Sequence, residues 1–219
     1  MSLTRSDLEA RRLQQIILQS GRGVNVLSEA QLQESLSATL KHQKPDSDVW
    51  LFAYGSLLWN PIFNFVEQRV GTIHGWHRRF CLWVPQGRGT PDNPGLVLGL
   101  DRGGSCRGIA YRIAATDVSL ELPLLWRREM VVGCYIPHWV SVFDGTQKLE
   151  AIAFVINRRH RAYAGKISEE TTVNSIATAG GELGSCAEYL MQTVNGLMTV
   201  GIKDKQLLRL RDRVLARQD

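Results

Sequence analysis

The sequence feature that most constrains the fold is a series of strand-like segments separated by turn residues. Six such segments lie between residues 49 and 157: VWLFAY, FVEQRVGTIHGWHRRFCLWV, LVLGL, RGIAYRI, CYIPHWVSVF and KLEAIAFVI. They are rich in β-branched and aromatic residues, with Gly, Pro and Asp between them. Asp144-Gly145 joins the last two and predicts an antiparallel hairpin, because both residues tolerate the left-handed conformation. The middle of the chain is therefore predicted to be a β-sheet.

One segment in this region has the period of a helix instead. Between residues 116 and 130, one face of a helix would carry Val118, Leu122, Leu125 and Glu129. Pro123 lacks an N–H group, so it either lies in the first turn of this helix or kinks it. The pattern therefore predicts a helix with one carboxylate on an apolar stripe.

Two short amphipathic helices are predicted before the sheet. Two capping boxes mark their starts: Ser6 with Glu9, and Ser28 with Gln31. Residues 42–47 (HQKPDS) are polar and have no apolar period, which is typical of a linker. The chain is thus divided into a helical N-terminal extension, residues 1–47, and a main domain, residues 48–219.

Helical patterns return after the sheet. Ser185 and Glu188 form a third capping box, which an apolar helical stripe follows. A basic helix is predicted over residues 204–217. A β-rich middle with helices on both sides in sequence indicates the α+β class, here a β-barrel-like sheet with helices packed around it.

The composition argues against several classes of function. The 219 residues are 44% hydrophobic and 21% charged, and their apolar runs are too short to cross a bilayer. The net charge of +5 comes from basic residues interleaved with acidic ones, as on a solvated helix face. The four cysteines lie far apart and form no CxxC pair. We therefore expect a cytoplasmic protein with reduced thiols that binds neither nucleic acid nor a membrane.

The turn after the first strand is the first candidate for chemistry, and it reads Tyr54-Gly55-Ser56-Leu57-Leu58-Trp59. A glycine before a small hydroxyl residue allows consecutive backbone N–H groups to point at an anion, as a nest for a carboxylate or a developing oxyanion. If Gly55 has a positive φ, a Gly55→Ala substitution should impair binding. The alternative is a tight strand exit with Ser56 as a cap, and spacing alone favours this alternative.

Glu129 is the second candidate, because its stripe carries it toward the core. Desolvation disfavours the charged form of a carboxylate and raises its pKa toward the range useful for proton transfer near neutrality. In the structural alternative, Glu129 ends a helix and is bonded to Arg127, Arg128 or a neighbouring strand. The pattern leaves both interpretations open.

Other kinds of site have little support. His74 and His77 are three residues apart in a predicted strand, so their side chains point to opposite faces, and no further ligand lies at metal-site spacing. Ser56 has no G-x-S-x-G context and no evident His partner for nucleophilic catalysis. Gly103-Gly104 and Gly180-Gly181 fall in predicted turns and form no nucleotide-binding motif. The residues therefore give no support for a metal site or for a nucleotide-binding site.

Several segments, taken in order, resemble the ChaC-like γ-glutamylcyclotransferases. They are the turn from Tyr54 to Trp59, the loop Arg88-Gly89-Thr90-Pro91 with Pro94-Gly95, the helix end Arg128-Glu129 with Gly133-Cys134-Tyr135, and the C-terminal stretch from Gly180-Gly181 through Glu188-Tyr189-Leu190 to Gly201-Ile202-Lys203-Asp204. The resemblance covers residues 49 to 219, and it implies a γ-glutamylcyclotransferase-like barrel. The N-terminal helices remain an extension.

The family resemblance implies an enzyme that cleaves glutathione. The substrate's own α-amino nitrogen would attack its γ-amide carbonyl, giving 5-oxoproline and cysteinylglycine without a metal or redox cofactor. Glu129 would carry both proton transfers, and the turn from Tyr54 to Trp59 would bind the γ-glutamyl end through backbone N–H groups. Tyr189 is either a substrate contact or a packed helix residue, and Arg88 could pair with the glycyl carboxylate.

Two alternatives to glutathione cleavage stay open. The same nest and carboxylate would serve other γ-glutamyl amino acids or γ-glutamylamines. A non-catalytic regulatory protein linked to cation transport, with which the family is associated, is the alternative from another class. We expect a monomer or a weak homodimer.

Overall fold

The computed structural model describes residues 3–19 and 24–218. Within them, five long strands close into a barrel with the order β1-β3-β2-β4-β5. The strands are β1 (Val49–Ala53), β2 (Glu67–Val84), β3 (Gly95–Ile113), β4 (Tyr135–Phe143) and β5 (Lys148–Ile156). Most neighbours are antiparallel, and short parallel contacts of β5 with β1 and β3 close the barrel. The predicted α+β class with a barrel-like sheet is confirmed.

Helices surround this barrel. In the described residues they are α1 (Arg5–Glu9), α2 (Arg12–Gln19), α3 (Glu29–Leu40), α4 (Ala115–Glu129), α5 (Glu169–Thr178), α6 (Cys186–Thr199) and α7 (Lys205–Gln218). A 3₁₀ turn (Ser56–Leu58) follows β1, and a small hairpin of β6 (Gly180–Gly181) and β7 (Gly184–Ser185) precedes α6. None of the described helices is long and apolar enough to span a bilayer.

Helix α4 packs its apolar stripe against the barrel, as the sequence pattern predicts. Leu122 and Leu125 are fully buried, and the Trp126 ring contacts the Phe154 ring of β5 edge-on at 5.2 Å. Pro123 lies in the interior of the helix, which excludes the first turn as one of its two predicted places. The packing brings the C-terminal end of α4 to one end of the barrel.

The hairpin predicted at Asp144-Gly145 is confirmed. Strands β4 and β5 pair antiparallel from Phe143 with Lys148 onward. The Asp144 carboxylate accepts hydrogen bonds from the N–H groups of Thr146 and Gln147, both at 2.9 Å. Gly145 has a φ of 102°, the left-handed conformation that made the pair a turn signal.

The turn predicted at Gly103-Gly104 is wrong. LVLGL and RGIAYRI belong to one continuous strand, β3, which pairs with β2 on both sides of the glycines. Gly103 and Gly104 have φ values of 97° and 69°, and the register shifts opposite them between His74 and Trp76. Glycine thus forms a bulge here and keeps the chain in the sheet, because it adopts positive φ without steric cost.

The N-terminal region differs from the prediction in detail. Thr4 caps α1, with Asp7 as its reciprocal partner, so the box predicted at Ser6 and Glu9 is wrong. A Thr-x-x-Asp pattern two residues upstream of that box supplies both capping bonds. The box at Ser28 is confirmed, but three helices form where two were predicted. The division at residue 48 stays a prediction.

Candidate active site

A cleft opens at the end of the barrel where β1 and β2 finish and β3 and β4 begin. This outer cleft has a volume of about 250 Å³. Five of the residues predicted from the sequence line it: Ser56, Trp59, Arg88, Glu129 and Tyr189. They come from the turn after β1, the loop after β2 and helices α4 and α6, so the barrel and the helices around it position the site together.

An inner cavity of about 20 Å³ lies next to the outer cleft. Tyr54, Gly55 and Leu57 line only this inner cavity, which has room for about one water-sized group. Four residues line both spaces: Ser56, Glu129, Tyr135 and Tyr189. Glu129 therefore lies where the two spaces meet.

The carboxylate of Glu129 is held at the last residue of α4. Its side chain is 14% exposed, and its Oε1 lies 3.1 Å from Nε of Arg128. Burial raises the pKa of Glu129 above its ordinary value, and the positive charge of Arg128 opposes that rise. The carboxylate is thus partly desolvated next to one cation, an environment that suits a group which gains and loses a proton.

Arg128 connects this helix end to the turn after β1. Its Nη2 donates to Oγ of Ser56 at 2.9 Å and its Nη1 to the carbonyl of Asn60 at 2.8 Å. The prediction from sequence named Glu129 and missed Arg128 as a site residue. Three consecutive charged residues at the end of an apolar helix, Arg127, Arg128 and Glu129, were the available signal. Tyr135, which lines both spaces, was also missed.

The turn after β1 is a 3₁₀ helix of one turn. The N–H groups of Leu58 and Trp59 donate to the carbonyls of Gly55 and Ser56, so these two N–H groups are occupied within the turn. The first N–H groups of a helix have no partner inside that helix, which applies here to Ser56 and Leu57. The Leu58 side chain packs into the hydrophobic core and lines neither cavity.

Gly55 has a φ of −132°, so the positive φ considered for this residue is wrong. A Cβ atom at this position would lie 3.0 Å from the hydroxyl oxygen of Tyr189. A side chain at position 55 would therefore press against that hydroxyl, and the Tyr189 ring or the turn would have to shift by a few tenths of an ångström.

Arg88 lies over two aromatic rings. Its guanidinium carbon is 5.2 Å from the centre of the Tyr189 ring and 5.8 Å from that of Trp59, and the two rings meet edge-on at 6.1 Å. Nη1 of Arg88 donates to the carbonyl of Ser185 at 2.9 Å. Burial lowers the pKa of Arg88. The guanidinium is therefore fixed at the edge of the outer cleft, where its charge is placed to meet an anionic group.

Two further tyrosines are anchored to the barrel. The hydroxyl of Tyr54 donates to the carbonyl of Phe154, and that of Tyr135 to the carbonyl of Leu98, both at 2.7 Å. Both hydroxyls thus have strand carbonyls as partners, so these tyrosines form a rigid base for the inner cavity. Within the described part of the chain, no cluster of three or more His, Cys, Asp or Glu could hold a metal ion.

The closed five-stranded barrel with its surrounding helices is the fold of the γ-glutamylcyclotransferases. The structure resembles that of a yeast γ-glutamyl cyclotransferase specific to glutathione with a TM-score of 0.70. The similarity covers 78% of this chain and 96% of the yeast chain at 23% identity, a level that shows the fold alone.

The family follows from the sequence comparison. A family model described as "ChaC-like protein" matches residues 49–217, and the chain belongs to this family. A glutathione-specific γ-glutamylcyclotransferase of Escherichia coli K12 is 42% identical over 174 residues, which are 79% of this chain and 75% of that protein. Glutathione-specific γ-glutamylcyclotransferase 1 of Homo sapiens is 33% identical over 192 residues, and the match covers 82% of this chain and 86% of the human protein. The resemblance stated from the sequence motifs is confirmed.

Proposed function

We propose that this chain is a glutathione-specific γ-glutamylcyclotransferase, which converts glutathione to 5-oxo-L-proline and L-cysteinylglycine. The observation that carries the proposal is the position of Glu129, a partly desolvated carboxylate at the junction of the inner cavity and the outer cleft. The names of the bacterial and human relatives support the same activity.

The reaction rearranges bonds within one substrate molecule. The α-amino nitrogen of the γ-glutamyl group attacks the γ-carbonyl carbon, and a new C–N bond closes the five-membered ring. The bond from that carbon to the cysteinyl nitrogen then breaks. One proton moves from the attacking nitrogen to the leaving nitrogen, so the reaction consumes no water. Because both reacting groups belong to one molecule, the enzyme contributes mainly orientation and proton transfer.

In this proposal, Glu129 carries the proton. Ionised Glu129 removes it from the attacking nitrogen and, once protonated, donates it to the leaving nitrogen. The pKa of Glu129, raised by burial, reduces the cost of the protonated intermediate state. The adjacent Arg128 keeps the ionised form accessible.

The γ-glutamyl end is proposed to bind beside the turn after β1, at the mouth of the inner cavity, which has room for one of its polar groups. The N–H groups of Ser56 and Leu57 are the donors for the negative charge that develops on the γ-carbonyl oxygen or for the α-carboxylate. The bond from Arg128 to Ser56 fixes the distance between these donors and Glu129. Leu58 and Trp59 contribute no free N–H group and support the shape of the turn.

The leaving group is proposed to extend into the outer cleft. Arg88, held over the rings of Trp59 and Tyr189, would pair with the glycyl carboxylate by charge-assisted hydrogen bonds. The Tyr189 hydroxyl, next to Gly55, would contact the γ-glutamyl group. We place the reaction in the cytoplasm, in line with four buried, free cysteines.

The test is product detection with purified protein and millimolar glutathione. We expect equal amounts of 5-oxoproline and cysteinylglycine by NMR or mass spectrometry. The same assay with γ-glutamyl-alanine and γ-glutamyl-lysine tests the substrate, and a preference for either would overturn glutathione as the substrate. A complete lack of 5-oxoproline from all three would favour the non-catalytic regulatory alternative.

A further inference from the structure

The outer cleft has one boundary that the family resemblance does not cover. Leu3, Leu13, Ile16, Ile17 and Val24 all line this cleft, and we call these five residues the N-terminal wall. They precede residue 49, where the match to the family model begins. The extension is thus part of the lining of the candidate active site.

The segment that carries the N-terminal wall is anchored at its start, from Leu3 to Leu8, by specific contacts. The amide of Asn60, just after the 3₁₀ turn, donates from Nδ2 to the carbonyl of Leu3 at 2.8 Å. The Nη1 atom of Arg5 lies 2.6 Å from Oε2 of Glu121, a carboxylate of α4 with no solvent exposure. Leu8 is 1% exposed, so α1 is also anchored by an apolar side chain. The extension therefore docks on the two elements that carry the turn and Glu129.

The position of the N-terminal wall indicates which part of the substrate it faces. All five residues line the outer cleft, and the inner cavity has none of them in its lining. With the γ-glutamyl end held beside the turn after β1, at the mouth of the inner cavity, whatever follows the reacting amide extends past Glu129 along the outer cleft. The N-terminal wall therefore faces the leaving group.

Chemical complementarity indicates which part of the leaving group contacts the N-terminal wall. The leaving group of glutathione carries one charged end, the glycyl carboxylate, and one weakly polar side chain, that of the cysteinyl residue. A charged carboxylate is costly to place against aliphatic side chains, whereas a small thiol-bearing side chain buries favourably there. The leucine, isoleucine and valine side chains of the wall are therefore suited to the cysteinyl side chain and not to the glycyl carboxylate.

Building on the proposed function, we infer that the N-terminal wall is a specificity-determining surface: it contacts the side chain of the residue that follows the γ-glutamyl group and limits its size. The extension is thereby a part of the substrate site. Ile16 is a suitable position for the test, because it is half-buried on α2 and lines the cleft.

The experiment compares three tripeptides that differ only in their central residue: γ-glutamyl-glycyl-glycine, glutathione and γ-glutamyl-phenylalanyl-glycine. For Ile16→Ala, we expect the preference in kcat/KM for glutathione over the phenylalanyl peptide to fall about fivefold, because the enlarged cleft admits the larger side chain. For Ile16→Trp, kcat/KM for glutathione should fall about tenfold while that for the glycyl peptide, which has no side chain to clash, changes little.

Leu18 supplies the matched control, because it lies on the same helix, is 61% exposed and does not line the cleft. Leu18→Ala and Leu18→Trp should leave the ratios between the three peptides unchanged. Equal changes for all three peptides in the Ile16 variants, or the same changes in the Leu18 variants, would overturn this inference alone. If the unaltered chain turned over none of the peptides, the proposed function would fail and this inference with it.

Discussion

At the scale of single residues, the environment of Glu129 determines how the site responds to pH. A base must be ionised, so kcat/KM should fall as pH drops through the pKa of Glu129. Burial raises that pKa, and the acid limb of the profile should therefore have its midpoint above the ordinary carboxyl value of 4.5. A pH series of initial rates measures this, and a limb at or below 4.5 would contradict the assignment.

A substitution of Arg128 provides a second test of the titration of Glu129. Its positive charge lowers the pKa of Glu129, so Arg128→Met should move the acid limb to higher pH. The control is Arg127→Met, because Arg127 forms its ion pair with Glu29 of α3. We expect the limb to keep its position in the control. If the midpoint of the acid limb were the same in the unaltered chain, Arg128→Met and Arg127→Met, Arg128 would not act on the titrating group.

Gly55 and Tyr189 should be coupled in their effects. Because a Cβ atom at Gly55 would lie 3.0 Å from the Tyr189 hydroxyl, Gly55→Ala should lower kcat/KM on the order of tenfold by displacing the ring or the turn. In a Tyr189→Phe background the obstructing oxygen is gone, so the same substitution should cost much less. A double-mutant cycle measures this, and strictly additive effects would refute the proposed contact.

At the scale of elements, the docking of α1 on α4 depends on a buried carboxylate. Glu121 has no exposed surface, and its partners are Arg5 at 2.6 Å and the amide of Asn64 at 3.0 Å. A third of the Arg5 side chain is exposed, which weakens the pair relative to a fully buried one. The remaining effect still matters, because removing one partner of such a pair leaves a buried charge with fewer bonds.

We therefore expect Arg5→Met to lower the free energy of unfolding by on the order of 2 kcal/mol, less than for a fully buried pair. Urea denaturation measures the change. Arg12→Met is the control: Arg12 pairs with Asp7 on the surface of the same segment, and its loss should have no measurable effect. Equal stability of the Arg5 variant and the unaltered chain would show that the ion pair does not hold the extension.

Local patterns predicted some elements well because short-range physics determines them. Helix α4 and the β4–β5 hairpin each follow from a period or a turn pair. The continuity of β3 was not predictable, since Gly103-Gly104 is a turn signal in isolation and becomes a bulge only because β2 pairs on both sides of it. The start of α1 was misplaced because two overlapping capping patterns lie in the same few residues.

At the scale of the whole molecule, the exposed apolar surface bears on the assembly state. The large apolar side chains that are exposed in the described residues come from different elements, among them Phe65, Leu120, Ile136 and Met198. An obligate dimer would bury a continuous apolar surface. We therefore expect a monomer or a weak homodimer by sedimentation velocity. A dimer that persists at nanomolar concentration would contradict this expectation.

The candidate site, like strand β3, was only partly predictable, because local sequence patterns do not contain tertiary contacts. The turn from Tyr54 to Trp59 and Glu129 were candidates from the residue pattern, and the resemblance to a known family joined them and added Arg88. Closure of the barrel by the parallel contacts of β5 brings distant segments to one end, and no local pattern contains that information. The contribution of the N-terminal wall to the cleft was missed for the same reason: docking of the extension depends on tertiary contacts such as that between Arg5 and Glu121.

The most direct test of the account is the release of 5-oxoproline from glutathione by the unaltered chain and by Glu129→Gln. Glutamine has nearly the same shape but cannot carry the proton, so turnover should fall on the order of 10²-fold or more. The fold, by circular dichroism, and the affinity for glutathione, by calorimetry, should be retained. A folded Glu129→Gln variant that cyclises glutathione at the rate of the unaltered chain would contradict the central claim.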